Sequence, residues 1–293
     1  MHRFLRAIGF SDIHSRQNMD KLLGIIMNEP DRQKKIEENG RIYTEIGKDF
    51  GHNIGITIRG EYDKLGFFHL EHYFPYGSCN LYTATEDIVV NKRVDTDAYT
   101  GMCDDIRMGI SMIFYLQNTV DYIALHSQDN TPHKAKLSLS GLSLGGTIIL
   151  GVERSEQSLK RKNHETFLKS QLMKQAKNGN QDAIDSLTID EMDLSSRVSR
   201  RSKKEDLYSL VETSFIPYGS ESDNYSLLGT IINWSLITNS YTHEEVYQML
   251  VNCNDIVITV CINKKDLLGT PMIGCRFKGV IWMQGYVDFQ KIL

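Results

Sequence analysis

Three short segments of this chain occur twice in the same order, and that recurrence restricts the possible folds more than any other feature. The first is Tyr73-Phe74-Pro75-Tyr76-Gly77-Ser78, answered by Phe215-Ile216-Pro217-Tyr218-Gly219-Ser220. The chain has only five prolines, so two of them in one hexapeptide context indicate a repeated unit. Each copy has the chemistry of a strand ended by a turn, with proline presetting φ and glycine suiting the last turn position. The second segment is Cys103-Asp104-Asp105-Ile106, answered by Cys253-Asn254-Asp255-Ile256. In the third, Gly141 to Leu150 lies over Gly274 to Met283, with two glycines and one isoleucine coinciding. The spacing between copies differs from segment to segment, so the loops differ in length while the order holds.

The texture around these segments defines the organisation. Residues 1–40 read as mostly helical: Met19, Leu22, Leu23 and Ile26 follow a Ser15 cap at helical spacing, and a short charged helix, DRQKKIEEN, ends at Gly40. From residue 41 the chain breaks into short runs rich in Ile, Val, Thr, Phe and Tyr, among them Ile54–Ile58, Phe67–Phe74, Ile88–Val90, Ile110–Leu116 and Thr147–Val152. A charged, helix-patterned stretch follows, after which β texture returns, clearest at Ile256–Ile262 and Val280–Met283. The expected fold is α+β, with two tandem related β-rich units, each a sheet or small barrel. The boundaries are an N-terminal helical segment at 1–40, a first unit at 41–153, a helical connector at 154–210 and a second unit at 211–293.

Bulk chemistry removes some function classes. A net charge of −4 and a pI near 6.1 lack the overall positive excess of a protein that grips nucleic acid over its whole surface. The five cysteines are odd in number and contain no C-x-x-C pair, which points away from a disulfide framework or zinc cage and toward a reducing compartment. The start of the chain is interrupted by Arg6 and Asp12, unlike a signal peptide. No run approaches the roughly 18 apolar residues of a spanning helix. The expected location is the cytoplasm, away from membranes.

Four constellations carry possible chemistry. Gly141-Leu142-Ser143-Leu144-Gly145 fits the G-x-S-x-G nucleophile elbow, but that elbow needs a helix directly after the serine. Here Thr147-Ile148-Ile149-Leu150 favour strand, and the repeat puts Arg276 where the first copy has Ser143. Asn263-Lys264-Lys265-Asp266 matches the guanine-reading N-K-x-D element, yet the chain has no phosphate-cradling G-x-x-x-x-G-K-[ST], so a polar turn is expected. His69-Leu70-Glu71-His72 gathers two imidazoles and a carboxylate. On a regular strand His69 and Glu71 share one face and His72 the other, with Phe68, Leu70 and Phe74 inward, so no metal site is expected. Arg197, Arg200, Arg201, Lys203 and Lys204 form the dense basic cluster, a solvated linker face or a patch for an acidic partner. Trp282, Phe277 and Tyr286 are expected in the core.

The opening Met1 to Phe10, the two Pro-Tyr-Gly segments, Cys261 to Gly269 and Arg276 to Gly285 resemble a family of unknown function from clostridial, Lachnospiraceae-type bacteria. The resemblance spans essentially the whole chain. It implies a cytoplasmic bacterial protein and brings no activity, cofactor or site residue with it. The residues therefore lead to a non-enzymatic binding or scaffolding protein with no cofactor, taking a protein partner or small ligand. The rival expectations are a hydrolase-type enzyme using Ser143, His69 or Glu71 between the units, and a nucleic-acid binder using the basic cluster.

Overall fold

A computed structural model describes residues 2–38, 40–78, 81–93, 98–105, 110–126, 134–150, 171–172, 175–176, 180–183, 185–186 and 213–289. The chain begins with a 3-10 helix, Arg3–Ile8, and helix α1, Arg16–Asn28. Ser15 caps α1 as its sequence predicts, accepting from the Asn18 amide at 3.1 Å, and Met19, Leu22, Leu23 and Ile26 are the buried face. A four-stranded antiparallel meander follows: β1 (Arg32–Glu38), β2 (Arg41–Gly51), β3 (Ile54–Tyr62) and β4 (Phe68–Gly77).

β1 corrects the expectation of a charged helix there. Arg32 lies opposite Gly47 and Glu38 opposite Arg41, so the segment pairs with β2 along its whole length. Seven residues make too short a helix to pay its nucleation cost, and Ile36 alone gives no apolar stripe to bury. As an outer strand the same residues keep the sheet edge charged, which discourages further pairing.

The remaining strands are β5 (Ala84–Lys92), β6 (Tyr99–Asp105), β7 (Ile110–Leu116), β8 (Lys134–Ile149), β9 (Ser214–Pro217), β10 (Asn224–Thr238), β11 (Glu245–Cys253), β12 (Ile256–Asn263), β13 (Leu267–Leu268) and β14 (Arg276–Asp288). Helix α2 (Thr119–His126) joins β7 to β8. They form one sheet that closes on itself twice. β8 and β14 run antiparallel along nearly their full length, Arg276 opposite Ile149 and Asp288 opposite Lys136. One circuit runs β8-β5-β6-β7-β14; the other runs β14-β10-β11-β12-β8. In each, a three-strand meander is followed by a long strand that returns to pair antiparallel with the first. The other long strand then closes the circuit, running parallel to the third. This order and these directions are those of an OB-type Greek-key barrel, with one strand in each circuit supplied by the other.

Two apolar clusters follow from this layout. One fills the circuits, with Leu137, Leu139, Phe114, Phe277, Met249, Ile258, Ile281 and Met283 inside. The other joins the 3-10 helix, α1 and the β2–β4 face to outward residues of the circuits, Leu142, Cys261 and Trp282 among them. The segment at 41–153 thus contributes to both layers: β2–β4 belong with β1, and β5–β8 belong to the circuits. Of the expected connector, residues 171–172, 175–176, 181–183 and 185–186 are helical. Among the described residues no helix is long and apolar enough to cross a membrane.

Candidate functional site

The joint between the two layers opens into a cleft of about 670 Å³. β4 supplies one wall. Its pairing with β3 slips between Arg59 and Gly60, which face His72 and Leu70, so Glu71 bulges out of register. Gly60 permits this, since a Cβ there would sit 2.1 Å from the His69 carbonyl oxygen. The bulge breaks the strict alternation expected of this strand. Glu71 and His72 both line the cleft, Phe74 is buried, and Leu70, expected inward, is exposed.

The floor is aromatic. Trp282 of β14 stacks on Phe4 at 5.2 Å and meets Tyr115 of β7 at 5.1 Å; Tyr115 meets Phe74 at 4.7 Å. Strand alternation explains why Trp282 reaches here: Ile281 and Met283 point into the circuits, so the residue between them must point out. Its indole N–H donates 3.0 Å to Asp223, a buried carboxylate that also pairs with Arg93 at the rim. A second rim pair joins Arg3 to Glu221 at 2.5 Å.

Beneath the floor lies a buried ion pair. The Arg59 guanidinium donates to Glu45 at 2.7 Å, to the Tyr115 hydroxyl at 2.9 Å and to the carbonyls of Leu116 and Gln117 at 2.9 Å. Tyr115 accepts from Arg59 and therefore has its own proton to give, and His72 Nε2 stands 2.9 Å away to take it. Burial pushes the Tyr115 phenol up to about 12, against the pull of Arg59, so it stays protonated. At the other wall the His2 ring lies 4.8 Å from Trp282. Burial first, and Arg3 second, lower its pKa to about 4, and its buried Nδ1 has no hydrogen-bond partner. On the far side of Arg59 a separate void of about 20 Å³ borders Thr119, whose buried hydroxyl also lacks a partner. It has room for one water.

The candidate residues from the sequence scatter over this frame. Ser143 is fully buried on β8, and its one hydroxyl proton lies within reach of the carbonyls of Val280 at 2.8 Å and Gly145 at 3.0 Å. That contact stitches the register shift where Leu144 and Gly145 oppose Val280, and the strand runs on to Ile149 where the elbow would require a helix. Arg276, aligned with Ser143 in the repeat, instead faces Ile149 and donates to the Leu150 carbonyl at 3.2 Å. Exposed His69 pairs with Asp63 at 2.9 Å at the tip of the β3–β4 hairpin, while Glu71 alone of the three reaches the cleft. Arg197, Arg200, Arg201, Lys203 and Lys204 lie outside the described residues. Among those described, no three His, Cys, Asp or Glu side chains are grouped as metal ligands.

Asn263-Lys264-Lys265-Asp266 forms the expected turn, a 3-10 turn over Lys264–Asp266 capped by Asn263. It fastens the N-terminal segment: Arg6 grips Asp266 through two bonds of 2.7 Å, while Glu244 accepts from Ser11, from Asn263 at 2.6 Å and from Lys265 at 2.8 Å. Phe277 is core as expected, Tyr286 is exposed, and Trp282 is buried but serves as cleft floor. Arg93, Asp223, His2 and Tyr115 carry no sequence motif. The one hint was Arg59, a charge directly after the apolar run Ile54–Ile58.

The profile of the DUF3881 family, described as a domain of unknown function from an E. rectale gene, matches residues 5–285. No curated protein and no solved structure matches the chain.

Proposed function

For this chain, which belongs to the DUF3881 family, we propose a non-enzymatic role: binding a small organic molecule with a planar body in the cleft between the N-terminal layer and the circuits. One observation carries the reading. A cleft of about 670 Å³ combines an aromatic floor with a rim of paired charges, the mixture of apolar area and few placed polar groups that small-molecule sites show. The floor is held rigid by Asp223 on Trp282 and by Arg59 on Tyr115, so little ordering cost remains for a ligand to meet. The dispersal of Ser143, His69 and Glu71 favours binding over hydrolysis. The paired circuits, alike in strand order, favour a duplicated unit as the scaffold; OB-type order alone assigns no ligand. A cytoplasmic location completes the proposal.

Trp282 is one of two tryptophans, so Trp234→Phe makes it the sole indole reporter. Titration of that variant with purines, indoles and aromatic amino acids should give saturable quenching by at least one class, lost when Ala98→Phe is added to fill part of the cleft without a second indole. Absence of quenching across the panel, with no shift in melting temperature, overturns the reading.

A further inference from the structure

The second circuit carries a separate pocket on its outer face, away from the cleft, with a volume of about 190 Å³. Its floor is two cross-strand rows. Asn233, Leu250 and Thr259 face one another across β10, β11 and β12, and Ser235 lies opposite Gln248 in the next row. The Asn53 turn between β2 and β3, and Ser78 after β4, stand over this floor. Asn53 holds a left-handed φ of 61° and its carbonyl accepts from the Ser78 amide at 2.8 Å, so the overhang is fixed.

Two properties point to a ligand. First, Thr259 is 1% exposed and its hydroxyl has no hydrogen-bond partner. Outward positions on β12 alternate with Ile258 and Val260, which point into the circuit, so the hydroxyl belongs to the pocket side. Proteins rarely bury such a group unsatisfied. Beside it, the amide of Gln248 reaches only the Ser78 carbonyl at 3.5 Å and the Cys261 sulfur at 3.7 Å, contacts too long to use its donors fully. Second, among the described residues every side chain lining the pocket is uncharged. Carboxamides and hydroxyls offer donors and acceptors together, Leu81 and Leu250 add apolar surface, and none of the described lining residues is a cation that could hold a phosphate or carboxylate.

We infer that this pocket binds a neutral, hydroxyl-rich ligand the size of a single sugar unit, with the Thr259 hydroxyl and the Gln248 amide as its main polar contacts. The site is independent of the cleft and stands whether or not the cleft binds anything. It discriminates against charged sugars, because a phosphate entering it would lose its water with no counter-charge in return.

Saturation-transfer NMR on the full chain, with glucose, galactose, N-acetylglucosamine and glucose 6-phosphate as probes, tests this. At least one neutral sugar should bind, and the phosphorylated sugar should bind at least about tenfold more weakly. Thr259→Val and Gln248→Leu should each weaken the neutral sugar about tenfold. Valine matches threonine in shape and suits a strand, so Thr259→Val should melt no lower than the parent, which separates lost contact from lost fold. No transfer from any neutral sugar, equal binding of the phosphorylated one, or unchanged binding in both variants overturns the inference. Water alone filling the pocket would appear as the first of these results.

Discussion

Two polar clusters join the N-terminal layer to the circuits, and they are built on opposite terms. Under the cleft, Arg59 and Glu45 have side chains only 5% and 9% exposed. At the other end of the N-terminal segment, Glu244 is 8% exposed but its partner Lys265 is 56% exposed, and Arg6, on Asp266, is 42% exposed. The first cluster is buried, so Arg59 depends on Glu45 and on the Tyr115, Leu116 and Gln117 oxygens, and Glu45 depends on Arg59 and the Thr119 amide. The second keeps its cations at the surface, where water and salt can replace a lost partner. The difference teaches where this protein keeps its rigidity: in the pair that supports the floor of the cleft.

Removing Arg59 should therefore be the most damaging change. Arg59→Ala strands the Glu45 carboxylate and should cost about 3–5 kcal/mol, read as a lower urea midpoint with an unchanged slope. Replacing both partners, Arg59→Met with Glu45→Leu, should recover most of that loss. If the double variant is as unstable as the single, the pair acts through packing and the contrast with the outer cluster fails.

Glu244→Gln probes the outer cluster and should cost less, about 1–3 kcal/mol. Burial pushes the Glu244 carboxyl up, but the bonds from Lys265, Ser11 and Asn263 together outweigh it and leave the pKa lowered. A carboxylate held below its ordinary value of 4.5 adds stability above that pH and loses it as pH falls through the folded value. The parent minus variant difference should thus shrink below about pH 4.5 and also in high salt. A difference independent of both would make this cluster as closed as the first.

The smallest effect at neutral pH concerns His2, because it appears only in acid. Its folded pKa of about 4 lies below the ordinary 6.5, so the unfolded chain takes up the proton first. The associated stability is complete above 6.5 and is lost as pH falls toward 4, about 3 kcal/mol in all. Phenylalanine at this position keeps a ring on Trp282 but cannot titrate. His2→Phe should flatten the decline in urea midpoint between pH 6.5 and 4; an unchanged decline would place its origin elsewhere.

Much of the local structure was legible from residue order. Ser15 and the spacing of Met19, Leu22, Leu23 and Ile26 specify α1, because a cap and an apolar stripe are local properties. The strand runs, the turn at Asn263–Asp266 and the poor fit of Ser143 to a nucleophile elbow were readable for the same reason. Arg32–Glu38 was not. Its composition permits a helix, and only the presence of β2 beside it makes a strand the better state. The cleft was harder still. Asp223, Arg93 and Trp282 lie far apart in the chain, and no spacing rule connects them. The Glu71 bulge, which turns His72 toward the cleft, depends on a glycine in the neighbouring strand.

By itself, then, the sequence determined the β-rich α+β class, the elements whose signals lie within a few residues, and membership of a family through motifs spread along the chain. Tertiary structure decided how β8 and β14 are shared between two circuits, which face of each strand is inner, and which charges meet. Hydrophobic periodicity says that a strand has two faces, but only its neighbours establish what each face touches. The closed circuits take the alternate residues of β14, leaving Trp282 outside them, and the outward side becomes a site because the N-terminal layer lies against it.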